Sequence, residues 1–443
     1  MKYFITSLGC KLNQSEAESL ARQLAAAGHT IVDKPQRADW CVVNTCLVTH
    51  IAARKSRQLI RRLHRENPAV HIAVTGCYAE VSPDEIAALG NVDIIASNQE
   101  KEHLASLIDR VSAEATPEAF SSEPRVGPRG SIETPRTRAF VKIQAGCDNH
   151  CTYCIVTIAR GPQRSRPETE ILAEISSRVQ EGYKEVVLTG VHIGSYGQDH
   201  QAKARGEKET NLRELVRLIL QETEIQRLRL SSVEPWDFDP EILSLWEDPR
   251  LCRHLHLPLQ SGCDATLHRM GRRYTQEQYE ASVAAARQAI PGLAVTTDVI
   301  VGFPGETEEE FTESLAFVKK LAFARLHVFK YSQREQTVAA NMPDQVSPGA
   351  KRARSQAMLR IGKQSAHAFA RGFRGKTLSV LWEHPLETST RTLWRGLTDN
   401  YIRVYARGYA RARGGSPCNL HNAITHALLQ EPFRDGVLGE VIV

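Results

Sequence analysis

Three closely spaced cysteines in the segment GCDNHCTYC constrain this chain more than any other feature of its sequence. Cys147, Cys151 and Cys154 follow a CxxxCxxC spacing. Three thiolates on one short loop can hold three irons of a 4Fe-4S cluster, whereas a structural cluster is normally closed by four cysteines. The fourth iron is then open to a ligand that is not protein. A structural zinc site is the alternative, because His150 lies in the loop and could supply a fourth ligand.

The residues around this loop favour the iron-sulfur interpretation. Gly146 precedes the first cysteine directly after a strand-like run at 139–144, and Tyr153 stands just before the last cysteine. The segment resembles the radical S-adenosylmethionine (radical SAM) enzymes, whose CxxxCxxC loop follows the first strand of a partial α/β barrel. The resemblance implies that the open iron binds SAM through its amino and carboxylate groups. It also implies that SAM is cleaved to methionine and a 5′-deoxyadenosyl radical.

Length and composition are those of a multidomain globular protein. The chain has 443 residues, of which 42% are hydrophobic and 24% charged, so it resembles neither a disordered nor a fibrous protein. It has no apolar run of about 18 residues or more, and its N-terminus lacks the long apolar centre of a signal peptide. We therefore expect a protein of the reducing cytoplasm, whose ten cysteines are metal ligands or buried thiols.

Sequence patterns divide the chain into three bodies and one linker. Residues 1–110 alternate β-rich runs with helical stretches, the pattern of a parallel sheet, and residues 111–136 have linker composition. Residues 137–369 contain six strand–helix units, too few for a closed eight-fold barrel. Residues 370–443 alternate short strands, as small β-barrels do. The predicted fold class is an α/β multidomain protein with a parallel-sheet α/β domain, a partial (β/α)6 barrel and a small β-barrel.

Glycines and polar residues follow several of the predicted barrel strands, in TGVHIGSYG, SSVEP, PLQSG and VGFPGET. Ligands collect at the C-terminal ends of strands in α/β barrels. Here glycines would let a ligand approach the backbone, and polar side chains could bind a ribose or an amino-acid group. Taken singly, each polar residue is an ordinary turn residue. The predicted cofactor-binding residues are Tyr153, Gly190, Gly194, Ser232, Glu234 and Gln260.

Three further cysteines each follow a separate predicted strand of the N-terminal domain. Cys10 lies in SLGCKLNQSE, Cys46 in NTC and Cys77 in VTGCY. Cysteines that follow parallel strands can converge at one edge of the sheet. Each alone is more often a buried thiol, but together they indicate a second cluster with an open iron. The remaining cysteines are interpreted as structural thiols: Cys41, Cys252, Cys263 and Cys418.

Over essentially its whole length the chain is similar to the methylthiotransferases. The resemblance rests on the three-cysteine N-terminal domain, the radical SAM motifs GCDNHCTYC, PLQSG and VGFPGET, and a small basic β-domain that resembles the RNA-binding TRAM domain. It implies insertion of sulfur and a methyl group at an unactivated C–H position. One SAM would donate the methyl group and another would supply the radical, while the second 4Fe-4S cluster would carry the sulfur.

Within this family, four segments resemble the branch that acts on N6-threonylcarbamoyladenosine beside the anticodon of tRNA. They are SLGCKLNQSEAES, NTCLVTHIAARKSRQLIRR, VTGCYAE and LTGVHIGSYG. Two departures are Cys263, where Ser is usual after PLQSG, and a longer polar loop at 199–211. One alternative is a methylthiotransferase for N6-isopentenyladenosine in tRNA. An alternative of another class is a noncatalytic iron-sulfur or zinc protein that binds RNA and senses redox state.

Positive charge indicates a polyanionic partner. The net charge is +5; most of the excess lies in residues 370–443, and RKSRQLIRRLHR at 54–65 repeats cations at helical spacing. Strand spacing would place three tyrosines and three arginines on one face, either as an RNA surface or as a buried tyrosine stripe with snorkelling arginines. These residues are Tyr401, Tyr405, Tyr409, Arg403, Arg407 and Arg411. The expected partners are a tRNA anticodon stem-loop and an electron-donor protein, with the chain a monomer that contacts no membrane.

Overall fold

The structure is a computed structural model that divides into two compact units. It describes residues 1–114, 137–199, 210–387, 392–408 and 419–442. The first unit comprises the described parts of residues 1–135, 145–149 and 154–163, and the second those of 136–144, 150–153 and 164–443. None of the described helices is long and apolar enough to cross a membrane.

A five-stranded parallel sheet in the order β2-β1-β3-β4-β5 forms the centre of the first unit. The central strand β3 is buried along its whole length, as expected for a parallel strand covered on both faces. The predicted parallel-sheet α/β domain is therefore confirmed. The strands are β1 (Lys2–Ser7), β2 (Thr30–Ile31), β3 (Trp40–Thr45), β4 (His71–Gly76) and β5 (Ile94–Ile95).

Six helices accompany this sheet in the described part of the first unit. Helix α2 contains the basic run at 54–65, and it buries Ile60 and Leu63 while its cations lie mainly on the exposed side. Helix α5 continues to Glu114, so the predicted linker at 111–136 begins inside a helix; residues 115–136 lie outside the described residues. The helices are α1 (Lys11–Ala26), α2 (His50–Glu66), α3 (Cys77–Val81), α4 (Pro83–Ala87), α5 (Leu104–Glu114) and α6 (Val156–Arg160).

Six parallel strands form the partial barrel of the second unit. They build two three-stranded sheets, β6-β9-β10 and β11-β12-β13, and parallel bridges such as Ser232 to His256 link the two. The predicted six-strand partial barrel is confirmed. The strands are β6 (Arg138–Lys142), β9 (Glu185–Thr189), β10 (Arg227–Leu230), β11 (His254–His256), β12 (Ala294–Val301) and β13 (Arg325–Lys330), with short strands β7 (Gln144–Ala145) and β8 (Arg164–Ser165).

Helices pack against one face of these strands. Thr275 and Thr307 begin α10 and α11 with capping boxes that include Gln278 and Glu310, which satisfy backbone N–H groups at the helix starts. The helices are α7 (Glu168–Gln180), α8 (Leu212–Glu222), α9 (Asp264–Arg269), α10 (Gln276–Ala289), α11 (Glu308–Leu321) and α12 (Pro348–Arg371). The 3-10 helices among the described residues of both units are Pro35–Arg37, Glu100–His103, Ile193–Ser195, Pro235–Asp237, Pro240–Glu247 and Val338–Asn341.

A closed five-stranded barrel ends the second unit, in the order β14-β15-β16-β18-β17. Its core includes Val380, Trp382, Val404 and Ala427, so the predicted small β-barrel is confirmed. The predicted boundary between residues 369 and 370 falls in the last turn of α12. The strands are β14 (Thr377–Glu387), β15 (Thr392–Thr398), β16 (Arg403–Ala406), β17 (Ile424–Phe433) and β18 (Gly436–Ile442).

Candidate functional site

Three adjacent strands of the first unit each lead into a cysteine at the same edge of the sheet. Cys10 is the residue before α1, Cys46 follows β3, and Cys77 begins α3. A Cβ atom on Gly9 would lie 2.7 Å from Cys46 Sγ. Burial raises the pKa of Cys46 to about 11, and the nearby Cys77 and Cys10 thiols also raise it. The structure thus brings these three residues together, and we call them the sheet-edge cysteines.

The sheet-edge cysteines are not among the groups of described residues whose ligand atoms all lie within 4.8 Å of one another. Among the described residues, one group of three or more His, Cys, Asp or Glu has its ligand atoms within 4.8 Å of one another, and it contains no cysteine. Sulfurs on one tetrahedral zinc would lie roughly 3.7 Å apart, given Zn–S bonds of about 2.3 Å. Thiolates that bind separate irons of a cluster stand further apart.

A buried group of charges lies beside the sheet-edge cysteines. Arg160 Nη1 is 2.8 Å from Glu16 Oε1, and Lys101 Nζ is 2.7 Å from Glu16 Oε2. Burial disfavours the charge on Arg160, but Glu16 and the Cys77 and Cys10 thiols outweigh burial and raise its pKa. Two basic side chains thus face one carboxylate, although burial lowers the pKa of Lys101 against the opposing effect of Glu16.

Hydrogen bonds tie this charge group to the strand ends. Arg160 Nη2 donates to Asn13 Oδ1 at 2.5 Å. The amide of Asn13 donates to the carbonyls of Leu8 and Thr45 at 2.8 and 2.9 Å. Sequence reasoning missed Glu16, Lys101 and Arg160, because the partners are far apart in the chain. The one local signal is that Glu16 follows Cys10 on the first turns of α1.

The CxxxCxxC loop supplies the second set of thiols, the loop cysteines Cys147, Cys151 and Cys154. In the first unit, the backbone N–H and side-chain amide of Asn149 donate to Cys147 Sγ at 3.5 and 3.4 Å. Gly146 has a φ of +71°, and a Cβ atom there would lie 1.8 Å from the carbonyl oxygen of Pro162. Only glycine fits at this position.

Cys151 and Tyr153 lie in the second unit, where contacts from the barrel fix them. Arg272 Nη1 donates to Cys151 Sγ at 3.6 Å, and Tyr153 packs edge-on against Phe303. Arg272 is buried, with its guanidinium 4.4 Å from the ring centre of Trp236. N–H donors aimed at sulfur stabilise the thiolate form, so these contacts suit cluster ligands.

The predicted cofactor-binding residues have mixed environments. Glu234 pairs with Arg272, which raises the pKa of that arginine against the effect of burial. Ser232 forms a bridge with His256, and Gln260 has a left-handed φ of +62°, the kind of backbone strain often found at functional sites. Cofactor contact by all six residues stays a prediction.

Contacts with protein atoms explain why glycine is needed at Gly190 and Gly194, the two glycines predicted to bind a cofactor. A Cβ atom on Gly190 would lie 2.8 Å from Ile193, and one on Gly194 would lie 2.6 Å from Asp237. Protein atoms therefore fill the space beside both residues.

The prediction that six tyrosines and arginines share one face of a strand fails for Tyr401 and Arg407, which lie outside β16, whereas Arg403 and Tyr405 both contact Asp435. Tyr401 has a left-handed φ of +67°, precedes β16 and stacks on His254, while Tyr405 is buried and donates to Asp435. The strand is short because it ends at Ala406. Arg407 is exposed, whereas Arg403 pairs with Asp435 at 3.3 Å. Tyr409 and Arg411 lie outside the described residues.

The remaining cysteines are buried where they are described. Cys41, Cys252 and Cys263 are buried free thiols, in keeping with their interpretation as structural residues. Cys418 and most of the loop at 199–211 lie outside the described part of the chain.

Two protein-family models match separate parts of the chain. The uncharacterized protein family UPF0004 matches residues 2–97, which include all the sheet-edge cysteines. The radical SAM superfamily matches residues 141–318, which include all the loop cysteines. Each family match therefore contains one set of three cysteines.

Similar proteins of known name share most of the chain. The threonylcarbamoyladenosine tRNA methylthiotransferase MtaB of Bacillus subtilis is 40% identical over 91% of this chain and 89% of its own. The tRNA-2-methylthio-N(6)-dimethylallyladenosine synthase of Clostridium novyi is 34% identical over 87% of this chain and 86% of its own. The radical SAM methyltransferase TsrM of Kitasatospora setae shares the fold, with a TM-score of 0.56, 15% identity and coverage of 76% and 75%.

Proposed function

This chain belongs to the radical SAM methylthiotransferase family, and from that premise we propose that it converts N6-threonylcarbamoyladenosine beside the tRNA anticodon to its 2-methylthio derivative. The observation that carries the proposal is the convergence of the sheet-edge cysteines in a chain that also has a CxxxCxxC loop. One set of thiolates serves radical formation, and the other serves sulfur delivery. The B. subtilis relative named for this nucleoside is more similar than the C. novyi relative named for dimethylallyladenosine.

Radical chemistry is required by the bond that is broken. The C2–H bond of adenine is too weakly acidic for any side-chain base, and cofactors perform such steps. When bound, a 4Fe-4S cluster with SAM supplies a 5′-deoxyadenosyl radical that removes this hydrogen. Cys147, Cys151 and Cys154 hold that cluster, while Asn149 and Arg272 donate to their sulfurs.

The sheet-edge cysteines hold the second 4Fe-4S cluster. Their thiolates carry negative charge, which favours the charged form of the buried Arg160 beside them. Asn13 fixes the strand ends on which the cysteines stand. Cys10 is exposed whereas Cys46 and Cys77 are buried, so the site opens on the side of Cys10, where sulfur can reach a substrate.

The basic surface of the second unit binds the RNA backbone in this proposal. A groove of about 520 Å³ between α12 and the terminal barrel has four Lys or Arg residues among a largely apolar lining, with Asp435 as its acid. Lys and Arg distributed along a groove neutralise phosphates. The basic lining residues are Arg325, Lys363, Arg403 and Arg434. Arg407, exposed after β16, and Arg411 remain predicted RNA-binding residues. We assign residues 370–443 as the RNA-binding domain, residues 137–369 as the radical SAM domain and residues 1–110 as the domain of the second cluster.

The test is an anaerobic reaction of the cluster-loaded protein with SAM, a reductant and synthetic anticodon stem-loops. One RNA carries threonylcarbamoyladenosine and a second carries isopentenyladenosine, and nucleoside mass spectrometry measures the methylthio group. We expect modification of the first RNA. Modification of the second alone would replace the proposed substrate by the alternative one. A protein that forms no 5′-deoxyadenosine with either RNA would be a sensor rather than an enzyme.

A further inference from the structure

Three polar side chains from neighbouring strands meet on the face of the barrel sheet that is turned away from the helices. Residues on either side of them pack into the helix-facing core, namely Leu255, Val299 and Val328. Side chains alternate between the two faces of a strand, so His256, Asp298 and His327 face the other way. Asp298 and His327 are direct partners in the β12–β13 register.

Asp298 accepts hydrogen bonds from both imidazoles. Its Oδ1 lies 3.1 Å from His327 Nδ1 and 3.4 Å from His256 Nε2, while His256 Nδ1 lies 2.9 Å from Thr296 Oγ1. Burial disfavours the charge on Asp298, but the two histidines outweigh burial and lower its pKa. The aspartate is therefore a fixed anion with an imidazole on each side.

The two histidines differ in exposure. The side chain of His256 is 9% exposed and that of His327 is 43% exposed. Because Asp298 engages Nδ1 of His327, Nε2 is the ring nitrogen left for a ligand. A charged imidazolium is a donor at both ring nitrogens, so with Nδ1 directed at Asp298 the Nε2–H of His327 can donate to an oxygen. The pair is thus suited to hold an anionic oxygen.

This group lies close to the loop that holds the radical-forming cysteines. Ile300, two residues beyond Asp298 on the same face of β12, packs in a cluster with Tyr153 and Phe303. Consecutive side chains on one face of a strand are roughly 7 Å apart. A nucleoside held near the loop at Tyr153 could therefore extend a substituent toward His327.

We infer that His327, supported by Asp298 and His256, binds the free carboxylate of the threonylcarbamoyl group of the substrate nucleoside. The inference rests on the proposed function and names the residue that selects its substrate. An isopentenyl group is apolar and offers no partner to the imidazole. The free carboxylate gains a charge-assisted hydrogen bond that the isopentenyl group cannot form, so the site favours the threonylcarbamoyl nucleoside.

The experiment compares RNA stem-loops that differ only at this carboxylate. One carries threonylcarbamoyladenosine and the other its methyl ester, and single-turnover methylthiolation is measured with wild type, His327→Gln and Asp298→Asn. His268→Gln is the matched control, because His268 is an exposed histidine on α9 of the same unit. We expect the wild type and the control to prefer the free acid by about tenfold, the effect of one charged hydrogen bond of roughly 1.4 kcal/mol.

In His327→Gln and Asp298→Asn we expect this preference to fall to near unity, mainly through KM, while SAM cleavage without RNA is unchanged. Retention of the preference in both variants would overturn the inference. Loss of SAM cleavage would also overturn it, because the group would then bind SAM. Co²⁺ absorption bands in the wild type that His327→Gln removes would show a metal site instead.

The RNAs that the wild type modifies separate the role of His327 from the proposed reaction. A wild type that modifies the acid and the ester equally retains the proposed function but contradicts the role of His327. A wild type that modifies neither, and accepts only the isopentenyladenosine RNA, contradicts both.

Discussion

The loop cysteines and the sheet-edge cysteines supply equal numbers of thiols in opposite ways. The loop cysteines lie within eight residues of chain, whereas 35 and 30 residues separate the sheet-edge cysteines. The loop presents its sulfurs through local backbone geometry, including a glycine that no other residue can replace. The sheet edge presents them through strand order and a buried charge group. The positions of the loop cysteines therefore depend mainly on local backbone conformation. The positions of the sheet-edge cysteines depend on the tertiary packing of the first unit.

Removal of one cysteine from each site should give the largest effects. We expect Cys147→Ala and Cys10→Ala each to lose about four of about eight irons per chain, since each cluster needs its three thiolates. Iron and sulfide analysis after anaerobic reconstitution measures this. Cys263→Ser is the control, because Cys263 is a buried residue at the start of α9 where serine is also a good helix cap. An unchanged iron content in Cys10→Ala would remove the distinction between two sites.

Lys101→Met should damage the sheet-edge site alone. Lys101 and Glu16 are 8% and 7% exposed, and the substitution removes a buried ion pair while Glu16 keeps Arg160 as a partner. We expect a lower free energy of unfolding and loss of the sheet-edge cluster, with SAM cleavage retained. Lys320→Met, which breaks the surface pair with Glu280, should change stability by less than about 1 kcal/mol. Equal effects of the two substitutions would contradict the role of the buried charge group.

Gly146→Ala should damage the loop site through the backbone. Its positive φ predicts a cost of about 1–3 kcal/mol for any other residue, and the 1.8 Å approach to the carbonyl oxygen of Pro162 adds a steric overlap to that cost. Gly28→Ala is the matched control, since Gly28 has a φ of +87° but no atom within 4 Å of a Cβ. Thermal unfolding and the yield of 5′-deoxyadenosine should fall in the first variant and change little in the second. A similar loss in both would assign the effect to φ alone.

Asn149→Ala should have the smallest effect. It removes one N–H···S bond to Cys147 while the backbone N–H of residue 149 remains. Loss of a hydrogen-bond donor destabilises the reduced, more negative cluster, so the reduction potential should become more negative. Potentiometric titration followed by electron paramagnetic resonance measures it. A shift in the opposite direction would show that this contact does not act on the cluster.

Local patterns in the sequence were sufficient for the fold and for both cysteine sets. Strand and helix periodicities are local, and a cysteine after each parallel strand gains its meaning from the topology those periodicities imply. The Glu16–Arg160–Lys101 group and the His256–Asp298–His327 group were not predictable, because their members come from distant segments whose pairing depends on register and packing. Tyr401 was misjudged because β16 is short and Tyr401, with its left-handed φ, precedes it.

The central claim is that the loop cysteines serve radical formation and the sheet-edge cysteines serve sulfur delivery. Its most direct test is a product analysis of the Cys10→Ala variant after reaction with SAM, a reductant and threonylcarbamoyladenosine RNA. Both 5′-deoxyadenosine and methylthiolated nucleoside are quantified in the same reaction. The account predicts that 5′-deoxyadenosine still forms and that the methylthio product is absent. Full methylthiolation by Cys10→Ala would contradict it, because sulfur delivery would then not require the sheet-edge cysteines.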